Sequence, residues 1–187
     1  MAEKRINSEA FKNALLKVWK TRATINIVEV GMNPFIVEFV SEGELSRIWD
    51  GQPWLFDQYL IYLKWFDGIT PSKDSMFSHT YIWVQLHNLP FGCMNSDIGN
   101  KLGKSIGKML HGESNSKGHG WGKFMCVLVE LDLHQPLVRG KMLLLDGKTI
   151  FVAFKYEQLP KFCFRCGRIK HAGVVCPSKG VSKSEVL

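Results

Sequence analysis

Four residues towards the C-terminal end of the 187-residue chain carry the plainest chemistry. Cys163, Cys166, His171 and Cys176 follow the spacing C-x2-C-x4-H-x4-C. Three thiolates and one imidazole fill a tetrahedral zinc shell with no open position, so such an ion holds a fold and activates nothing. The two-residue gap lets one tight turn present Cys163 and Cys166 to the same ion, and Gly167 suits the sharp turn that follows. The loop has only 14 residues. Chains below roughly 40 residues cannot bury enough core to fold alone and usually need a metal or disulfides. Structural zinc supplies on the order of 10–16 kcal/mol in finger peptides at neutral pH. The spacing therefore predicts one structural zinc ion.

The residues around these ligands suit a polyanion. Residues 161–187 hold six Lys and Arg against one Glu, a balance of +5 out of a chain total of +7. Lys161, Arg165, Arg168 and Lys170 can reach phosphates. Phe164 offers a flat face to an unstacked base, worth roughly 1–3 kcal/mol, whereas Phe162 is read as packing on the body as a hinge. A second basic zone, residues 99–123, carries five Lys against one Glu, including Lys101, Lys104 and Lys108. It is either a further phosphate contact zone or ordinary solvated surface. The rest of the chain is slightly acidic.

The elements that must position these residues read as α+β. Residues 8–20 are predicted as a helix capped by Ser8, with Phe11, Leu15, Val18 and Trp19 at helical spacing. Ile25–Val30 and Phe35–Val40 form a hairpin across Gly31–Pro34. Ser41 and Glu44 make a capping box for a second helix that Gly51-Gln52-Pro53 stops. Tyr59–Trp65 is a strand, and residues 67–80 are the internal linker. Tyr81–Leu86 alternates as a strand, Ser96–Leu110 reads as a helix, and His111–Gly122 as a loop. Strands follow at Lys123–Leu131, Lys141–Leu145 and Thr149–Tyr156, with Asp146-Gly147 as a two-residue hairpin turn. The organisation is thus an α-β-β-α-β module over residues 1–66, a β-α-β-β-β module over 81–160, a zinc knuckle over 161–177 and a basic disordered tail over 178–187.

Composition narrows the function classes. Hydrophobic residues at 45% and charged residues at 22% are globular values. The apolar runs are strand-sized, while a membrane span needs roughly 20 residues. No apolar stretch follows Met1–Arg5, so no secretory signal is expected. With five cysteines and no export signal, reduced thiols or a metal site are expected rather than disulfides. No Ser-His-Asp set, carboxylate pair, P-loop or zinc-deaminase pattern is visible, so an enzyme is not expected.

At Cys163–Cys176 the chain resembles a CCHC zinc knuckle of the retroviral nucleocapsid kind. Upstream, Gly51–Asp57, Trp83–Pro90, Gly120–Phe124 and Phe154–Pro160 resemble the plant domain of unknown function 4283 family, which is typically joined to such a knuckle. The resemblance implies a gag-like first-open-reading-frame protein of a LINE-type retrotransposon that binds zinc and nucleic acid. The first module also resembles an RNA-recognition motif (ferredoxin-like) lacking its first strand, with Tyr81–Leu86 as a candidate to fill the gap. Pro34 and Ile36 stand where stacking aromatics are expected in that motif. The knuckle departs from its pattern as well. Lys170 precedes its His, and Ala172 and Gly173 follow, where a larger apolar residue often completes the base platform. Low sequence selectivity is expected as a result. Single-stranded RNA or DNA is the expected partner, in a nuclear or cytoplasmic setting, with self-association open. The alternative is an assembly module whose zinc loop docks another chain.

Overall fold

The computed structural model of the chain describes residues 5–66, 68, 78–113, 118, 120, 122–169 and 176. The chain divides into two compact units, Met1–Met76 and Phe77–Leu187.

Unit 1 is built on helix α1, Ser8–Trp19, whose Phe11, Leu15 and Trp19 recur every four residues and are buried. The cap is Asn7, not Ser8. The Asn7 side chain accepts from Ala10 N at 3.0 Å, while the Ser8 hydroxyl donates to Glu29 Oε2 at 2.5 Å. Strands β1 (Asn26–Glu29) and β2 (Phe35–Glu38) pair antiparallel, as expected. Helix α2, Glu42–Asp50, starts at Ser41, whose hydroxyl accepts from Glu44 N at 3.4 Å. The Glu44 carboxylate accepts from Arg22 N at 2.5 Å, tying α2 to the segment leading into β1. The strand expected at Tyr59–Trp65 is instead half of a hairpin, β3 (Trp54–Phe56) with β4 (Tyr59–Ile61). Asp57 and Gln58 both take left-handed φ, 49° and 64°, the geometry of a two-residue hairpin turn. The core joins Phe11, Leu15, Trp19, Ile25 and Ile48, with Phe35, Trp54 and Phe56 packed against it. The Phe11 ring lies 4.6 Å from Phe35 and 5.2 Å from Phe56. Among the described residues the four strands form two separate two-stranded sheets.

Unit 2 is one five-stranded antiparallel sheet with the order β6-β7-β5-β9-β8. Its strands are β5 (His79–His87), β6 (Lys108–Gly112), β7 (Met125–Asp132), β8 (Gly140–Leu145) and β9 (Lys148–Tyr156). Four of them, β5, β7, β8 and β9, lie where the sequence places strands. β5 begins two residues before Tyr81, so His79 and Thr80 leave the expected linker. It pairs with β7 and β9, so it fills no gap in unit 1. Helix α3, Ser96–Lys104, is shorter than the expected Ser96–Leu110. The chain turns at Ser105–Gly107 into β6, a strand the sequence reading missed. The turn needs a glycine: a Cβ on Gly107 would lie 2.4 Å from the Glu130 carbonyl oxygen on β7. Because β7 lies between β5 and β6, β5-α3-β6 is a split β-α-β unit. α3 lies on the face lined by Met125 and Val127; a Cβ on Gly99 would meet the Met125 methyl at 2.5 Å. Ile82, Val84, Leu86, Val127 and Val129 are fully buried and form this unit's core with Met125. No described helix is long and apolar enough to cross a membrane.

Candidate zinc centre and nucleic-acid interface

The chain leaves β9 at Tyr156 and reaches Cys163 within seven residues. There it makes a tight turn. Gly167 N donates to Cys163 O at 2.7 Å, and Cys163 N donates to Arg168 O at 2.8 Å. Gly167 closes the turn with φ 74°, a value that favours glycine. The turn directs the backbone N–H groups of Cys166 and Arg165 at the Cys163 sulfur, which holds that thiol below its ordinary value. Cys176 returns to the same point, so the Sγ atoms of Cys163, Cys166 and Cys176 all lie within 4.8 Å of one another. Thiolates about 2.3 Å from a tetrahedral zinc stand about 3.8 Å apart, so the trio fits one ion. Soft sulfur donors with an imidazole select zinc over hard cations. The expected fourth ligand, His171, lies outside the described residues, as does Lys170. Zinc held by these thiolates would fix the loop.

The turn is joined to the sheet. Leu137 N, in the β7–β8 connection, donates to Gly167 O at 3.0 Å, and Ile169 is buried. A Cβ on Gly167 would touch Pro136 at 3.5 Å.

The residues expected to meet nucleic acid divide by exposure. Phe164 is 92% exposed, and its ring stands 4.7 Å from that of Phe162 at a 50° tilt. Phe162 is half-buried. Arg165 and Lys161 are exposed. Arg168 is half-buried, with its Nε shielded from solvent. Lys101 and Lys104 stand exposed in the last turn of α3. Lys108 does not belong to that helix: it sits on β6 with its Nζ 3.0 Å from Glu130 Oε2. The expected basic helix therefore carries Lys101 and Lys104, while Lys108 is ion-paired on the sheet with its side chain 75% exposed. The sequence reading overlooked the side chains of β5, where Tyr81, Trp83 and His87 share one face with Phe124 and His111. Alternation within β5 was visible; the neighbours that join it from β6 and β7 depend on register.

Comparison with known proteins places both parts. Residues 2–72 match the profile of the family described as "Domain of unknown function (DUF4283)". Residues 131–178 match the profile described as "Zinc knuckle", which covers β8, β9 and the cysteine turn together. The uncharacterized protein At4g02000 of Arabidopsis thaliana is 20% identical over 140 residues. That match covers 74% of this chain and 44% of the relative, so the chain spans less than half of the relative's length. No solved structure matches. The motifs, the cysteine cluster and the two profiles agree: the chain carries a DUF4283 domain followed by a zinc knuckle.

Proposed function

We propose that the chain is a zinc-dependent nucleic-acid-binding protein that takes single-stranded RNA or DNA with low sequence selectivity. The observation that carries this reading is where the knuckle sits. It is built onto the unit that holds all of the chain's excess positive charge. Residues 77–187 contain 15 Lys and Arg against 7 Asp and Glu, whereas residues 1–76 contain 9 against 10. A cationic unit that presents an exposed ring beside Arg165 suits phosphate and base contacts made together. One zinc ion, held by Cys163, Cys166, His171 and Cys176, would keep Phe164 and Arg165 on a common rim. Lys161, Arg168 and Lys170 would add charge there, and Lys101 and Lys104 a second contact zone. The role is binding rather than catalysis, inside the cell, in the manner of a gag-like nucleic-acid-binding protein.

The test is affinity for a short single strand across a salt series. Counterion release predicts a steep loss of affinity with salt, about 0.7 in log–log slope per phosphate contact on a single strand. Cys166→Ser should weaken binding together with zinc content. Salt-independent binding, or none, would transfer the zinc loop to the protein-docking role.

A further inference from the structure

The sheet of unit 2 has two unlike faces. Along β5, Thr80, Ile82, Val84 and Leu86 are buried in the face on which α3 packs. Tyr81, Trp83, Gln85 and His87 alternate with them and are half-buried on the other face. Register brings more rings to that face. His111 on β6 stands opposite Leu128, which is opposite Trp83, and the Trp83 and His111 rings meet edge-on at 6.1 Å. Phe124, just before β7, lies 5.0 Å from the His87 ring. Lys155 on β9 is opposite Gln85 and exposed. The polar side chains between the rings are held in place. Gln85 Nε2 donates to Glu157 at 2.8 Å, and its Oε1 lies 2.9 Å from His87 Nε2.

We propose that this face is a base-stacking platform for single-stranded nucleic acid, with Trp83, His87 and Phe124 supplying ring faces and Lys155 a phosphate contact. The proposal rests on the nucleic-acid reading above and names a second surface for it. Three observations favour this occupant over a protein. The β5 row on this face is aromatic and amide-bearing, with no aliphatic residue. Bases of every kind stack on such rings, and an antiparallel sheet with a split β-α-β unit is a known frame for that mode. The unit bearing the face has a net charge of +8, from 15 Lys and Arg against 7 Asp and Glu, which draws a polyanion to the unit as a whole, while on the face itself Lys155 and the Glu157 carboxylate both flank Gln85.

The experiment uses the full chain and two labelled probes, oligo(rU) and an abasic strand of equal length, each titrated at several salt concentrations. Trp83→Leu and Phe124→Leu are compared with the wild type after far-UV circular dichroism shows them folded. Each should lower affinity for oligo(rU) by about 5- to 100-fold. Neither should alter the salt slope or the binding of the abasic strand, because no charge is removed. If Trp83→Leu does not fold, Phe124→Leu, outside the strand proper, decides. Variants that fold and bind oligo(rU) like the wild type overturn the platform while leaving the knuckle as the binding site. A wild type that binds neither probe overturns the nucleic-acid reading itself. Unchanged oligo(rU) affinity with altered self-association assigns the face to a second copy instead.

Discussion

Phe164 is the side chain on which the knuckle's affinity should turn, because it is 92% exposed beside the first thiolate while Phe162 braces its ring. Phe164→Ala should cost roughly 1–3 kcal/mol of single-strand affinity and leave the salt slope unchanged. Arg165→Ala should do the reverse, flattening the slope by about 0.7. Arg168→Ala should flatten it less, since that side chain is half-buried. Fluorescence anisotropy across a salt series separates the three. Cys126 obeys a different logic. Burial comes first, and the neighbouring Glu113 and Glu157 add to it, so its thiol is pushed up to about 12. It should therefore resist alkylation at neutral pH, since the thiolate is the nucleophile. The sign of its linkage follows. A native value above the unfolded 9.0 means that the folded state holds the proton more tightly. Its contribution to stability is complete below 9.0 and is lost as pH rises towards about 12. Cys126→Ala should flatten the alkaline fall in urea midpoint across that window; an unchanged fall would assign it to other groups.

The junction between α3 and β6 shows what a sequence pattern hides. Ile98, Leu102, Ile106 and Met109 keep helical spacing through the point where the helix ends, so periodicity alone extends it to Leu110. Tertiary contact decides otherwise: Gly107 presses its backbone against Glu130 O, and Lys108 enters the sheet opposite Glu130. Gly107→Ala should destabilise unit 2 by about 1–3 kcal/mol, the usual range for overpacking. Gly92→Ala, where a Cβ meets nothing within 4 Å, serves as the control. Equal denaturation midpoints for the two would remove the junction's role. The β3–β4 hairpin was illegible for a related reason: Asp57-Gln58 takes left-handed φ without the glycine that announces such a turn. Asp146-Gly147 does carry it, and the β8–β9 hairpin was read correctly. The cysteine cluster was legible because its three sulfurs fall within 14 residues of the chain. The ring row on β5 was not, since it exists only once β6 and β7 are set in register.

At the scale of the molecule, charge and metal are placed in the same unit, and the metal site is bonded to the sheet. The Leu137–Gly167 hydrogen bond joins the cysteine turn to the β7–β8 connection, and Ile169, two residues on, is buried. A typical hydrogen bond is worth about 0.5–1.5 kcal/mol and a buried isoleucine about 1.5–3 kcal/mol. Zinc holding the turn in shape would therefore also steady the β7–β8 connection. Unit 1 has a core of its own around Phe11, Leu15, Trp19, Ile25 and Ile48 and should not depend on the ion. Hydrogen–deuterium exchange with and without a chelator tests this division. Removing zinc should expose amides in two places, the turn at Cys163–Ile169 and the β7–β8 connection around Leu137. Amides of α1, buried along Phe11, Leu15 and Trp19, should keep their protection. Protection unchanged at Leu137 would mean that the knuckle rides on the sheet without supporting it. Protection lost in α1 would mean that the two units do not fold independently.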